Sequence, residues 1–364
     1  MQSVLESIRG EIVNLGISPW SHASAGIIRL TPITGGLTNI LYKATIEGDP
    51  ENNALLVRIF GQLDGLLNRM VENQVYIELS DAGISPKLVG VFPWGRLEEH
   101  LTRNFPLKSG TDMVSVTPER DCVKLIAETI AKLHQTKLKL DHAVCSADIF
   151  DVLARWLIVA NKYNETIKSS PRCPSFTHPT ICDFRTEIEF IKSSVQRGLL
   201  TLPIVTESPS CQALLSRVLC HNDMLSGNIM LDPETNSVRL IDFEYSGINY
   251  AAADIANVFT AVCESIMLSG EPQDVARNFP SREVQIHFLE CYVGYPITSE
   301  EVEAVLVLIL AFAMMDELRW TIWGVIQANQ STVDFDYIFY YNSRFDAFKC
   351  YKRLYLERLD LLRQ

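Results

Sequence analysis

Apolar positions recur along this chain in two rhythms. From about 28 to 60 they fall in short, β-branched runs (IIRLTPITGG, TNILYKATIE and ALLVRIF) separated by the turn signals TGG and GDPENN, which predicts three strands. Residues 66–82 (LLNRMVENQVYIELSDA) switch to helical spacing. SPKLVGVFPWGRLEEHL then predicts two short strands around Pro93–Gly95, running into a connector. Ahead of all this, MQSVLESIRGEIVNLG carries charges throughout and predicts a short amphipathic helix, unlike a signal peptide.

After residue 115 the helical rhythm takes over. Thr117-Pro118-Glu119 has the form of an N-cap with proline at the first helical position, and Val123, Ile126, Ala127, Ile130 and Leu133 share one face of the helix it would open. Further helices are predicted at 148–165, 181–198, 250–268, 281–293, 299–328 and 335–362, with a proline-broken loop at 166–180. The longest apolar run, AVLVLILAFAMM at 304–315, is too short to span a bilayer. Thr298 and Glu301 form a capping box ahead of it and make it a buried helix. The expected fold class is α+β: a β-rich lobe over 1–105 and a mostly helical lobe over 106–364, in keeping with a length of 364 residues that exceeds one ordinary core.

Composition narrows the function classes. Hydrophobic residues make up 47% and charged residues 21%, the balance of a soluble globular protein. A net charge of −12 leaves no basic surplus for phosphates and argues against nucleic acid as a partner. It suits a cationic small substrate, although acidic solubility explains it equally well. Nine cysteines without a CxxC pair fit reduced thiols and a cytoplasmic location.

The chemistry concentrates in CHNDMLSGNIML (220–231) and IDFEYSG (241–247). If NIMLD and VRLID pair as strands around a turn at Pro233–Ser237, Asp223 and Asn228 precede the first strand and Asp242 ends the second, so all three converge. Such a set suits phosphoryl transfer: one aspartate takes the proton of an attacking hydroxyl, while an asparagine oxygen and a second aspartate hold Mg²⁺ against the phosphates of ATP. His221 reads as a residue that braces the loop. In the first lobe, Gly35, Gly36, Thr38 and Asn39 form a glycine turn that backbone amides could offer to phosphates, Arg58 is a cation in an apolar strand, and Glu72 on the next helix is placed to pair with it. Taken singly, each of these is an ordinary turn or surface charge.

CHNDMLSGNIML followed by RLIDFEYSGINYAAADIANVF resembles the signature of choline and ethanolamine kinases, eukaryotic amino-alcohol kinases with a bilobal protein-kinase-like fold. TGGLTNILYKA is similar to that family's nucleotide loop, LLVRIFG to its third strand and SPKLVGVFPWGRLEEHL to its hinge, while ELRWTIWGVIQANQSTVDFDYIFYYNSRFDAF is similar to its substrate segment. The resemblance implies Asp223 as catalytic base, Asn228 and Asp242 as Mg²⁺ ligands, Arg58 on the phosphates positioned by Glu72, and adenine near the backbone of Glu99 and Leu101. It implies an amino-alcohol pocket of Tyr245, Trp320, Trp323 and Tyr340, whose aromatic faces attract a quaternary ammonium that cannot donate hydrogen bonds. It also implies a part in phospholipid head-group activation, and homodimers are common in that family. One departure stands out: Ala261 occupies the place of an acidic residue of the family, and Glu264 follows one helical turn later.

The expectation is an ATP-dependent kinase acting on choline, or on ethanolamine as well. Other readings stay open at this stage: a dedicated ethanolamine kinase, an aminoglycoside-type phosphotransferase, or a silent kinase-like binding module. The aromatic C-terminal segment argues against an aminoglycoside, and the intact Asp223, Asn228 and Asp242 argue against a silent module.

Overall fold

The computed structural model describes residues 2–33, 39–48, 54–61, 69–137, 139, 149–163, 179–264, 267, 275–331 and 333–363. Helix α1 (Gln2–Asn14) packs Ile8 and Ile12, with Trp20, against a five-stranded antiparallel sheet. The sheet comprises β1 (Ile28–Ile33), β2 (Asn39–Ile46), β3 (Leu55–Phe60), β4 (Leu88–Phe92) and β5 (Gly95–Glu99), in the spatial order β1-β2-β3-β5-β4. Ala44, Val57 and Leu97 are fully buried on one face and close the small first core. The predicted order of three strands, a helix and two strands is the order observed, the helix being α2 (Arg69–Asp81).

Helix α2 belongs to both parts of the molecule. Its Val71, Val75, Tyr76 and Leu79 join the large second core, while Glu72 faces the sheet. The second part begins with β6 (Phe105–Pro106), α3 (Gly110–Met113) and α4 (Cys122–His134). Helix α4 starts five residues after Thr117, contrary to the cap expected there. Thr117 closes a turn with Arg120, Val116 bridges to Asp121, and Asp121 takes the cap by accepting from the Lys124 amide at 2.9 Å. Two adjacent segments each satisfied the local cap rules, and the strand-like bridge selected the later one.

Next come α5 (Ile149–Asn161), α6 (Ile181–Ile191), α7 (Pro203–Glu207) and α8 (Pro209–Leu215). The predicted loop at 166–180 lies almost wholly outside the described residues. Strands β7 (Arg217–Cys220), β8 (Ile229–Asp232), β9 (Ser237–Leu240) and β10 (Gly247–Tyr250) then frame the polar motif. The chain ends with α9 (Ala251–Val262), α10 (Val275–Asn278), α11 (Arg282–Val293), α12 (Ser299–Gln330) and α13 (Tyr337–Leu362).

Helix α12 is buried almost all round, and the Thr298–Glu301 capping box starts it as expected. Its packing on α13 depends on Gly324, where a Cβ would stand 2.7 Å from that of Tyr341. That close approach sets the neighbouring Trp323 against Tyr340. Among the described residues, no helix is long and apolar enough to cross a membrane.

Candidate active site

The hairpin forms as the sequence predicted. Ile229 pairs with Leu240 and Asp232 with Ser237, and the Ile241 amide donates to the Asn228 carbonyl at 3.0 Å. Asn228 and Asp242 are thereby fixed beside one another at the open end of β8 and β9. Asp223 joins them: the Asn228 Nδ2 donates to its backbone carbonyl at 2.8 Å and to its Oδ2 at 3.1 Å.

His221 is fully buried and structural in its contacts. Its Nε2 donates to the Ile241 carbonyl at 2.8 Å and its Nδ1 accepts from the Asp223 amide at 3.2 Å, which ties the loop to the far strand of the hairpin. Burial lowers its basicity and favours this neutral tautomer.

Asn222 and Asp242 both sit in the left-handed region, at φ 64° and 65°. Such positions are unfavourable for residues other than glycine and are held by their surroundings. Every polar group of Asn222 is engaged: its amide on Asp254 Oδ1 (2.7 Å), its carbonyl on Arg319 Nη2 (2.6 Å), its Nδ2 on the Tyr245 carbonyl (2.9 Å) and its Oδ1 on Asn249 Nδ2 (2.8 Å).

The support for this loop was not assigned from sequence. Asp254 on α9 is fully buried and accepts from the His221 and Asn222 amides at 2.7 Å each, and from His134 Nε2 at 3.1 Å. Three residues on, Asn257 accepts from the Met224 amide and donates to Asp316 Oδ2 at 3.0 Å; Asp316 also holds Arg319 at 2.8 Å. The polar positions inside the apolar DIANVF helix were the available signal, because a buried helix carries aspartate and asparagine only where they have partners.

Asp223 itself is buried, and its Oδ1 has no hydrogen-bond partner among the described residues. Burial first, and then the negative charge of Asp242, push its carboxyl well above the ordinary range, against the opposing pull of Arg319. A carboxylate with one unoccupied oxygen and raised proton affinity has the properties of a general base.

The first lobe corrects one expectation. Arg58 and Glu72 do not pair directly. Arg58 Nε donates to Glu98 Oε1 and its Nη1 to Asp242 Oδ1, both at 2.9 Å, while Glu72 holds Arg96 at 2.7 Å and Arg69 at 2.6 Å. Two residues of β5, Arg96 and Glu98, intervene, and neither was singled out from sequence. Arg58 still reaches the site, through Asp242. Asn39 lies at the start of β2 and bridges the lobes: its Nδ2 donates to Glu244 at 3.0 Å and its Oδ1 accepts from Arg69 at 3.2 Å. Gly35, Gly36 and Thr38 lie outside the described residues.

At the end of β5, the Glu99 amide is committed to the Lys87 carbonyl at 2.8 Å, and its carboxylate accepts from Arg239 at 3.0 Å. Leu101, half-buried, follows at the connector between the lobes.

The predicted aromatic residues do come together. Tyr245 stacks edge-on to Trp320 (5.4 Å between centroids), Trp320 to Trp323 (5.5 Å) and Trp323 to Tyr340 (5.6 Å), and Trp323 Nε1 donates to the Tyr245 hydroxyl at 2.8 Å. Trp156 on α5, absent from the sequence reading, adds a further edge contact to Tyr245 at 6.1 Å.

Glu264 lies at the margin of this cluster, paired with Arg344, whose guanidinium stands 5.0 Å from the Tyr340 ring. Arg344 also holds Glu317 at 3.2 Å; burial outweighs that pairing and raises the Glu317 carboxyl to about 7. Ala261 is buried and offers no charge.

The arrangement therefore combines a buried carboxyl, two oxygen donors at one hairpin end, an arginine beside them and an aromatic cluster anchored on the residue three past Asp242. A family model described as choline/ethanolamine kinase matches residues 30–349. A choline/ethanolamine kinase of Rattus norvegicus is 30% identical over 354 residues, covering 90% of this chain and 82% of the rat protein. The solved choline kinase of Cryptosporidium parvum superposes with a TM-score of 0.74 at 23% identity, over 97% of this chain and 96% of that one. The solved ethanolamine kinase of Plasmodium vivax gives 0.73 at 24% identity, over 95% and 89%. These two structures establish the bilobal, protein-kinase-like α+β fold. With the family match running from the first strand to the last helix, the chain belongs to the choline/ethanolamine kinases, phosphotransferases that act on an alcohol group.

Proposed function

We propose that the chain transfers the terminal phosphoryl group of ATP to the hydroxyl of choline, with ethanolamine as a second acceptor. The observation that carries this reading is the Asp223 Oδ1, unpartnered among the described residues, buried beside Asn228 and Asp242 and one loop away from the aromatic cluster on Tyr245. In this reading Asp223 accepts the proton of the attacking hydroxyl as its oxygen bonds to phosphorus and ADP departs. Arg58, held close to Asp242, directs its charge at the phosphates. Tyr245, Trp320, Trp323 and Tyr340 hold the ammonium by cation–π attraction.

The residues fit a divalent cation. Asn228 spends its amide nitrogen on Asp223, which leaves its oxygen for another partner, and the Asp242 carboxylate is partly exposed, so Asn228 Oδ1 and Asp242 would hold Mg²⁺ as hard oxygen donors. The metal's contribution is to neutralise charge on the phosphates. The same reading places the reaction at the first step of phospholipid head-group activation, in the cytoplasm.

The test is a coupled assay of ADP release with choline, ethanolamine, mono- and dimethylethanolamine and an aminoglycoside. Turnover should rise with methylation of the amine, because each added methyl removes a hydrogen-bond donor and suits an aromatic wall. No stimulation by any amino alcohol would overturn the reading.

A further inference from the structure

A buried chain of alternating charges runs from α2 to the hairpin. Glu72 Oε1 accepts from Arg96 Nη1 at 2.7 Å, and Arg96 Nε donates to Glu98 Oε1 at 2.7 Å. The same Glu98 oxygen accepts from Arg58 Nε at 2.9 Å, and Arg58 Nη1 reaches Asp242 at 2.9 Å. Glu72, Arg96, Glu98 and Arg58 are each no more than 2% exposed. Arg96 is further confined by aromatic faces, its Cζ 4.2 Å from the Tyr76 ring and 5.7 Å from the Phe60 ring.

We propose that Arg96 and Glu98 are positioning residues for nucleotide binding: they transmit the hold of α2 to Arg58 and fix where its guanidinium points. A stabilising role alone accounts poorly for the arrangement, because burying ion pairs is often no better for stability than packing apolar side chains in their place. The geometry instead matches an orienting task. Arginine loses rotamer freedom when fixed, and here Glu98 fixes it at Nε, which places Nη1 on Asp242 and carries Nη2 with it at the outer end of the fork.

The strand below is fixed as well. A Cβ on Gly95 would stand 2.3 Å from the Arg58 carbonyl, so β5 presses directly against β3 at this residue. Burial opposes the Glu98 charge, yet Arg58 and Arg96 outweigh it and hold the carboxyl at about 2, so the link stays ionised at any working pH. Among the described hydrogen bonds, Glu72 is linked to Arg58 through these two residues, which is how a helix can set the position of a strand cation it does not touch.

This inference rests on the reading that Arg58 meets the phosphates, and the experiment separates the two. ADP affinity is measured by calorimetry, with and without Mg²⁺, for the wild type and for Arg58→Met, Glu98→Gln, Arg96→Lys and the double variant Arg58→Met/Glu98→Gln. Arg58→Met should weaken ADP binding about tenfold or more, the loss expected for a charged hydrogen-bond partner. Glu98→Gln should reproduce most of that loss without touching the nucleotide, and the double variant should be no weaker than Arg58→Met alone. Arg96→Lys should also weaken binding, since an ammonium cannot reproduce a fork fixed on Glu72 and Glu98 at once.

Wild-type affinity in Glu98→Gln and Arg96→Lys beside an impaired Arg58→Met would overturn the positioning role, as would additive losses in the double variant. Wild-type affinity in Arg58→Met would instead overturn the phosphate role of Arg58. Should Glu98→Gln not fold, Arg96→Lys combined with Arg58→Met supplies the same cycle.

Discussion

Replacing Asp223 by asparagine changes one buried oxygen and one charge while leaving the shape of the loop. The amide oxygen can still accept from Asn228 Nδ2, whose contact with the carboxylate is 3.1 Å, and the His221 and Asp254 contacts of the backbone are untouched. Loss of a general base costs on the order of 10²–10⁴ in rate. Each factor of ten is about 1.4 kcal/mol of barrier, so the expected loss in kcat is about 3–5 kcal/mol. ADP affinity should stay near that of the wild type, since no described contact of Asp223 reaches the first lobe.

Stability should move the other way. Burial and the charge of Asp242 raise the native proton affinity of Asp223. A raised native value means that the group's contribution to stability is fully present below the unfolded carboxyl value and is lost as pH rises through the native one. Every tenfold difference in proton affinity corresponds to about 1.4 kcal/mol. Asparagine does not ionise, so the variant should melt above the wild type at neutral and mildly alkaline pH, and the gap should close towards pH 4. For the same reason wild-type turnover should increase with pH across this range, as the base loses its proton. The assays are steady-state kinetics with choline, and thermal melts from pH 4 to 8.5. Retention of more than about a hundredth of wild-type kcat would refute the base role. A variant that melts below the wild type throughout would refute the electrostatic account.

Two other substitutions probe the flanks of the site. Trp323→Phe removes the 2.8 Å bond to the Tyr245 hydroxyl, worth about 1 kcal/mol, together with part of the π surface. KM should therefore rise several-fold more for choline than for ethanolamine, and an equal rise for both would refute the cation–π reading. Asp254→Asn leaves one oxygen for donors that now use two, so a buried N–H of His221, Asn222 or His134 loses its partner. Urea unfolding should register about 2 kcal/mol or more of lost stability, with kcat falling while ADP affinity holds; unchanged stability would show that the loop does not hang from α9.

What was legible in the sequence follows from the range over which each feature is encoded. The strand–helix order of the first lobe, the 229–240 hairpin and the capped start of α12 are set by periodicity and turn residues within a few positions. Convergence of Asp223, Asn228 and Asp242 was legible too, because a hairpin brings its two ends together whatever surrounds it. Thr117 shows the limit of local rules: its segment satisfied a cap pattern, and a bridge between Val116 and Asp121 moved the helix start. The aromatic residues of α12 could have been ordinary core, and only the crossing at Gly324 and the position of the loop before β10 relative to α12 gather them around Tyr245.

The sequence by itself determined the elements, the reactive loop and the type of chemistry, because those are written in residues that are neighbours along the chain. Tertiary structure alone decided which carboxylates Arg58 holds. Its partners Glu98 and Asp242 lie 40 and 184 positions away, and the reach of a side chain across a folded interior is not encoded in any local period. The same is true of Asp254, whose three donors come from the loop after β7 and from α4 and whose place on an apolar helix gains its meaning only once those elements pack around it.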